Sequence, residues 1–283
     1  MPDQRTEAGQ TFSPAAERSQ TPPAEQESPV GRRFDGSVAV LTLRRRPYNL
    51  LDAAFGRQIV EALHWARTEG ARAVVVESGL RHFSAGADLD AMVTVTKDGD
   101  GVRGWRLTDV LRAFDELPLP IVASVHGICV GGGLEVALAC DLIVASESAK
   151  LGLVEATVGL HPLMGGIQRI TQRAGAARAK EMVMLGRRYD ARTMERWGIV
   201  NRVVADERLS AATMTLAHEL AAGPTVAHAA TKKLVSIAVD QGVRAADEAM
   251  PEIQEPIFRS ADFRAGADSL KQNGPGLARF RGC

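Results

Sequence analysis

The sequence has only three cysteines among 283 residues, no excess of either charge, and no long apolar run. Cys129, Cys140 and Cys283 lack the spacing of metal ligands, which argues against a metal site and favours reduced thiols. Because 34 Lys and Arg balance 34 Asp and Glu, no global field attracts nucleic acid or an anionic membrane. Nowhere do 18 apolar residues follow one another. We therefore expect a cytoplasmic protein with no nucleic-acid partner and no membrane partner.

Two nucleotide-binding signatures are also missing. The glycine run in VGGGLE (130–135) follows an apolar stretch, but it is not G-x-G-x-x-G, and Asp141 comes too early to be a ribose-binding acid. No G-x-x-x-x-G-K-[ST] segment occurs, so a phosphate-binding P-loop has no support. Dinucleotide redox chemistry and phosphoryl transfer are therefore disfavoured.

The chain divides into a polar tail, a mixed core and a helical end. The first 30 or so residues are rich in Pro, Gln, Glu and Ser, which predicts a disordered tail over residues 1–33. Strand-like and helix-like segments alternate through residues 34–220, as in an α/β fold with a parallel sheet. From about residue 172 the pattern becomes helical, and residues 221–283 form a helical C-terminal region. The expected strands are SVAVLTL, RAVVVES, PLPIVASVHG, DLIVASES and AKLGLV.

The glycine run can serve a different chemistry. Gly132 has no Cβ, and at the start of a predicted helix its N–H is not used by the helix. It could therefore donate to a ligand carbonyl. A second small-residue turn, FSAGADLD (83–90), could aim another backbone N–H outward. Together the two amides predict an oxyanion hole for a thioester oxygen.

Two glutamates are candidates for proton transfer. Glu135 lies three residues after Gly132, so its side chain leans back towards the helix start. Glu155 follows an apolar strand and precedes a second glycine pair. Alternatively, Glu135 only interacts with the helix dipole at the start of the helix, and Glu155 is a solvated loop residue. Two carboxyl groups beside one oxyanion hole could position a water and exchange a proton with carbon.

These segments resemble the enoyl-CoA hydratase/isomerase family, also called the crotonase family, over about residues 34–283. The resemblance implies a spiral of β-β-α units, a helical C-terminal region that builds trimers or hexamers, and acyl-CoA thioester substrates. The motifs that carry it are RRPYNLLD, FSAGADLDAM, PLPIVASVHGICVGGGLEVALACDLIVAS, AKLGLVEATVGLHPLMGGIQRI and AKEMVMLGRRYDARTMERWGIVNRVV.

The resemblance also assigns roles to residues. It implies that Ala87 and Gly132 are the oxyanion donors and that Glu135 and Glu155 are the catalytic acids. Arg45, in the basic run 44–46, is expected near the CoA entry. The full set of predicted substrate-binding residues is Arg45, Ala85, Asp88 and Leu89.

The sequence departs from the family pattern beside the second acid. Val154 stands where a proline is common in the family, and HPLMGG (161–166) replaces a smaller turn, so we expect these residues to affect which acyl groups bind. We interpret His161 as a loop residue. Lys232 and Lys233 are expected on an exposed helix face, although a neighbouring subunit's cations can reach CoA in this family. Side chains that could line either the acyl pocket or the core are Met92, Trp105 and Met164.

The predicted activity is reversible hydration of a trans-2-enoyl-CoA to a 3-hydroxyacyl-CoA, with no metal and no redox cofactor, by a homotrimer or homohexamer. Many relatives keep one acid or neither, so two retained acids favour hydration. The alternatives are an enoyl-CoA isomerase, another crotonase-type reaction, and a non-catalytic acyl-CoA-binding or RNA-binding member of the fold.

Overall fold

The computed structural model describes residues 28–92 and 108–283. Most of the predicted tail and Trp105 lie outside this part of the chain. The described strands are β1 (Val30–Asp35), β2 (Val38–Leu43), β3 (Ala73–Ser78), β4 (Ile121–Val125), β5 (Ile128–Val130), β6 (Leu142–Ser146), β7 (Lys150–Gly152), β8 (Tyr189–Asp190) and β9 (Arg202–Val204).

These strands form two sheets. The six-stranded main sheet has the order β1-β2-β3-β4-β6-β9. Strand β1 runs antiparallel to β2, with Val30 opposite Leu43, and the remaining neighbours are parallel. The small sheet has the order β5-β7-β8, in which β5 and β7 are parallel and β7 and β8 antiparallel. Because β5 follows β4 after two residues, the chain passes from the main sheet into the small one beside the glycine run.

The described helices alternate with the strands in the first part of the chain and make up most of its C-terminal third. They are α1 (Ala53–Thr68), α2 (Thr108–Glu116), α3 (Gly132–Ala139), α4 (Gly166–Leu185), α5 (Ala191–Arg196), α6 (Leu209–Ala222), α7 (Thr225–Gln241), α8 (Val243–Arg259) and α9 (Ala261–Asn273), with short 3-10 helices at Glu155–Val158 and Asp206–Arg208. No helix in the described ranges is long and apolar enough to cross a membrane.

Strands β2, β3, β4 and β6 of the main sheet are almost continuously apolar, because a core lies on each of their two faces. In β2, Val38 and Val40 pack in one core, whereas Ala39 and Leu41 pack in the other. The first core is covered by α6, whose buried residues recur every four positions. The second core is larger and includes side chains of α1, α2 and α3. Helix α3 is buried along its whole length, so any polar side chain on it needs partners inside the protein.

The structure confirms the α/β class and the five expected strands, and it corrects the predicted boundaries. Residues 30–33 belong to β1, so the predicted tail ends too late. Arg44 N donates to Pro29 O at 2.7 Å, which ties this entry strand to the end of β2. Helix α4 begins at residue 166 rather than near 172 and is interrupted at Gly175, whose φ is 80°. The strands β1, β5, β8 and β9 were not predicted.

Candidate active site

Glu135 is held inside the protein by two backbone amides. Its side chain lies in the fully buried helix α3, and the residue is 2% exposed. The Oε1 atom accepts from Met164 N at 2.9 Å and from Gly166 N at 2.8 Å. The second donor is the first N–H of helix α4, which has no partner within that helix. The helix start therefore provides a place for a buried carboxylate.

Opposing effects act on the ionisation of Glu135. Burial is the largest and raises the pKa of this carboxyl above its usual range. The backbone N–H groups of Gly166, Met164 and Gly165 and the positive charge of Arg169 lower the same pKa. The carboxyl is thus desolvated, and its charged form is stabilised by donors.

Glu155 begins the 3-10 helix that follows β7, and its side chain is partly buried. Its Oε2 atom is buried and has no hydrogen-bond partner among residues 28–92 and 108–283. Burial is the main cause that raises the pKa of Glu155 to about 7, and the nearby Glu135 raises it further, while its own backbone and His161 lower it. A carboxyl with this pKa can both give and take a proton near neutral pH.

The two acids lie beside a cradle of glycines. A Cβ added to Gly131 would stand 3.4 Å from Glu155 Oε1 and 3.5 Å from Gly86 Cα. Gly131 has φ 54° and Gly86 has φ 106°, conformations that favour glycine. The space next to Glu155 is therefore lined by backbone, which a planar substrate group could approach closely.

Ala87 and Gly132 bring two backbone amides to this cradle. The Cβ position of Gly132 is 3.8 Å from Ala87 N. The residues on either side of Ala87 are hydrogen-bonded to Leu51, which fixes the position of Ala87. Leu51 N donates to Gly86 O and Asp88 N donates to Leu51 O, both at 2.8 Å. Gly132 is the first residue of helix α3, so its N–H is not used by the helix. The structure thus brings together the two predicted donors and the two predicted acids.

Sequence reasoning missed the residues that support the Ala87 segment. Asn49 is completely buried with φ 52°, and its Nδ2 donates to Phe83 O and to Ser78 Oγ, both at 2.9 Å. Ser84 Oγ donates to Asn49 O at 2.8 Å and accepts from Gly86 N at 3.2 Å. The available signal was Asn49 itself, because asparagine is among the residues that best tolerate the left-handed conformation.

The predicted substrate-binding residues contact one another and the backbone. Arg45 pairs with Asp52 at 2.6 Å and with Asp88 at 3.5 Å, so its charge is already partly balanced within the protein. Asp88 also accepts from Ala91 N at 3.1 Å, as a helix cap does. Ala85 N donates to Tyr48 O at 3.0 Å, and Leu89 is 43% exposed. Substrate contact by these four residues stays a prediction.

The structure corrects the prediction for Lys232. Its ammonium group binds Asp141 at 3.0 Å and Leu119 O at 3.3 Å, and its side chain is only 14% exposed. Lys233, in contrast, is exposed as expected. His161 is an exposed loop residue, with Nδ1 2.8 Å from Pro162 O.

A cavity of about 910 Å³ adjoins the loop that holds Glu135. Met164 and Gly165 form part of its wall, and residues of α2, α4, α7 and α8, together with Leu117 and Pro118, form the rest. Met164 is buried, and its Sδ lies 3.5 Å from the Cβ position of Gly132. Met164 therefore lies between the glycine cradle and the cavity. The other methionine considered for the acyl pocket, Met92, is only partly buried. Within the described residues, no group of three or more His, Cys, Asp and Glu side chains could hold a metal ion.

The chain is an α/β protein in which two carboxyl groups and two backbone amides lie beside a glycine cradle. The sequence profile of the enoyl-CoA hydratase/isomerase family matches residues 33–275. The chain therefore belongs to this family, which confirms the resemblance and the predicted crotonase-type fold.

Individual relatives cover most of the chain. A probable enoyl-CoA hydratase of Rhizobium meliloti is 35% identical over 74% of this chain and 83% of its own length. A carnitinyl-CoA dehydratase of Proteus mirabilis is 32% identical over 82% of this chain and 90% of its own length. The crystal structure of an enoyl-CoA hydratase subunit from Geobacillus kaustophilus superposes with a TM-score of 0.84, at 33% identity, over 90% of this chain and 98% of its own.

Proposed function

We propose that this protein is an enoyl-CoA hydratase, a lyase that adds water reversibly to a trans-2-enoyl-CoA and yields a 3-hydroxyacyl-CoA. The observation that carries the proposal is the placement of Glu135 and Glu155 beside one glycine cradle with two backbone amides. Family membership and the names of the relatives support a reaction of the lyase type.

The proposed reaction assigns one step to each of these groups. The thioester oxygen accepts from Ala87 N and Gly132 N, which draws electron density away from C3. Glu135 removes a proton from water as the oxygen attacks C3, and the electrons of the double bond move onto the thioester as an enolate. Glu155 then gives its proton to C2. Glu135 gains one proton and Glu155 loses one. Before the reaction Glu135 must therefore be ionised and Glu155 protonated, so that the two acids together carry one proton.

The ionisation of the two acids supports this division of roles. The amides of Met164 and Gly166 stabilise Glu135 as a carboxylate, which is the form a base requires. Glu155, with a pKa of about 7, is protonated in half of the molecules at neutral pH and can act as the acid. Hydration transfers no electrons, so the proposal needs no redox cofactor, and coenzyme A enters as part of the substrate.

A second candidate is dehydration of carnitinyl-CoA, the activity named for the relative from Proteus mirabilis. It requires the same two acids, since elimination of water is the reverse of hydration. Isomerisation needs only one proton-shuttling acid and leaves the second carboxyl without a role. The balanced charge of the chain offers no support for RNA binding.

The test is a substrate panel. Purified protein is incubated with crotonyl-CoA, longer and branched trans-2-enoyl-CoAs, a 3-enoyl-CoA and carnitinyl-CoA, and the absorbance of the conjugated thioester is followed. Hydration removes this absorbance, whereas dehydration and isomerisation of the last two substrates create it. The Glu219→Gln variant, at an exposed position on α6, is the matched control for Glu135→Gln and Glu155→Gln. If folded protein turns over no enoyl-CoA, the proposal fails.

We also propose a homotrimer or homohexamer. Helices α7–α9 expose large apolar side chains, which a partner subunit would cover. Light scattering coupled to size-exclusion chromatography measures the subunit number, and a monomer at micromolar concentration would contradict the proposal. A cytoplasmic location remains a prediction from the composition. The exposed apolar residues of α7–α9 include Val235, Val239, Val243, Phe258, Phe263 and Leu270.

A further inference from the structure

Arg169 connects an ion pair to the loop that holds Glu135. One guanidinium nitrogen lies 2.5 Å from Asp115 Oδ2, at the end of α2. The other lies 3.5 Å from Gly165 O, which also accepts from Arg169 N at 3.3 Å. The Arg169 side chain is 18% exposed and packs against Gly165, where a Cβ would stand 2.7 Å from the guanidinium. Gly165 has φ 115°, so the close approach and the backbone conformation both require glycine.

The Gly165 carbonyl belongs to the same peptide group as the N–H of Gly166. That N–H donates to Glu135 Oε1 at 2.8 Å. A cation at the oxygen end of an amide polarises the group and makes its N–H a stronger donor, as in a chain of hydrogen bonds. The contacts therefore run without a break from Asp115 through Arg169 and one peptide group to Glu135.

We propose that Arg169, held by Asp115, is a positioning residue that fixes the Gly165–Gly166 peptide and thereby maintains Glu135 as an oriented carboxylate. The inference rests on the proposed function, in which Glu135 is the base. Neither Arg169 nor Asp115 needs to touch the reacting atoms. Both act through the peptide group, so their loss affects the chemical step more than the binding of a short substrate.

The charged groups around Glu135 determine whether loss of Arg169 raises or lowers the pKa of this carboxyl. Arg169 is the cation that lowers the pKa of Glu135, and Glu155 faces Glu135 from the 3-10 helix with His161 beside it. Arg173 lies further along α4 and binds the carbonyls of Leu138 and Cys140 at the other end of α3. Removal of the Arg169 charge should therefore raise the pKa of Glu135 and leave that of Glu155 little changed.

The first experiment compares Arg169→Gln with Arg169→Lys. We expect Arg169→Gln to move the acidic limb of the kcat profile for crotonyl-CoA hydration to higher pH by about 1 unit. We expect kcat to fall about 10-fold or more, because the base is less well oriented, with little change in KM. Arg169→Lys should keep the wild-type limb, since it keeps the charge. A wild-type limb in Arg169→Gln, or an equal displacement in Arg169→Lys, would overturn the proposal.

The second experiment tests the partner and keeps the proposal falsifiable if Arg169→Gln fails to fold. In Asp115→Asn the Arg169 guanidinium is less firmly positioned, so kcat should fall. Because the substitution removes a negative charge, the acidic limb of the kcat profile should not move to higher pH. The matched control is Glu181→Gln, which breaks an ion pair of the same 2.5 Å length to Arg178 on the same helix. Equal kcat values for Asp115→Asn and Glu181→Gln would contradict the role of Asp115.

A third measurement needs no substrate and separates this inference from the proposed function. The carboxyl signals of protein labelled with ¹³C at glutamate are titrated by NMR, and Glu135 is assigned from Glu135→Gln. The Glu135 signal should titrate at higher pH in Arg169→Gln than in the wild type. This result is expected even if the protein hydrates no enoyl-CoA, whereas an unchanged titration would refute the link between Arg169 and Glu135.

Discussion

Glu155→Gln should lose most hydration activity and at the same time stabilise the folded protein at alkaline pH. The Glu155 carboxyl is partly buried, Oε2 meets no donor in the described part of the chain, and Glu135 lies nearby. The ionised form is therefore destabilised in the folded state. A glutamine of the same shape carries no charge, so it removes this cost together with the proton that C2 requires.

The size of the stability effect follows from the pKa. A carboxyl that titrates at 4.5 when unfolded and at about 7 when folded binds more protons in the folded state between these values. Wild-type stability must therefore fall as the pH rises through this window. A pKa shift of one unit corresponds to about 1.4 kcal/mol, so the shift of Glu155 lowers the free energy of unfolding by at most about 3 kcal/mol at high pH. Because Glu155 is partly exposed, solvent screening leaves about 1–2 kcal/mol. Glu155→Gln should gain this amount at pH 8 and lose most of it at pH 5.

The assay is urea unfolding of the wild type, Glu155→Gln and the exposed control Glu219→Gln at both pH values, combined with crotonyl-CoA hydration. Hydration by Glu155→Gln should fall by about 100-fold to 10,000-fold. If the stability difference between Glu155→Gln and the wild type were the same at pH 5 and pH 8, the burial argument would be refuted. Normal hydration by the variant would refute its role as the acid.

Three further substitutions test the other parts of the site. Glu135→Gln keeps an oxygen for the Met164 and Gly166 amides, so it should fold and bind product-CoA by calorimetry but lose about 100-fold to 10,000-fold in hydration; wild-type turnover would remove it from the mechanism. Gly132→Ala places a Cβ 3.0 Å from Leu51 Cδ1 and 3.8 Å from Ala87 N, and we expect kcat/KM to fall by about 100-fold with unchanged circular dichroism. An unimpaired variant would argue against thioester binding at this amide. Met164→Ala should open the cradle towards the cavity of about 910 Å³ and shift the kcat/KM ratio towards longer acyl groups, at a cost of about 2–5 kcal/mol in stability. An unchanged chain-length profile would show that Met164 does not separate the two spaces.

Several features of the site could be predicted because they depend on short stretches of chain. Three glycines before an apolar helix indicate a turn without side chains and a free N–H at its end. The spacing from Gly132 to Glu135 is nearly one helical turn, which directs the carboxyl towards that N–H. The apolar runs of β2–β4 and β6 indicate strands buried on both faces. In each case, residues within one turn or one strand determine the geometry.

Other features could not be predicted because they depend on residues that meet only after folding. The amides that hold Glu135 come from Met164 and Gly166, about 30 residues further along the chain. Lys232 was expected on an exposed face, and its burial depends on Asp141, 91 positions away. Residues 30–33 of β1 were assigned to the polar tail, and pairing of β1 with β2 is what places them in the sheet.

The sequence by itself therefore indicated strands β2, β3, β4, β6 and β7, the glycine turn and two candidate acids, because local periodicity and backbone freedom depend on residue type. Only the tertiary structure decided how these acids ionise. Burial raises the pKa of both carboxyls, while donors from α4 and Arg169 act on Glu135 and none reaches Glu155 Oε2 within the described residues. Desolvation and electrostatic coupling depend on distances in space, and separation along the chain does not specify those distances.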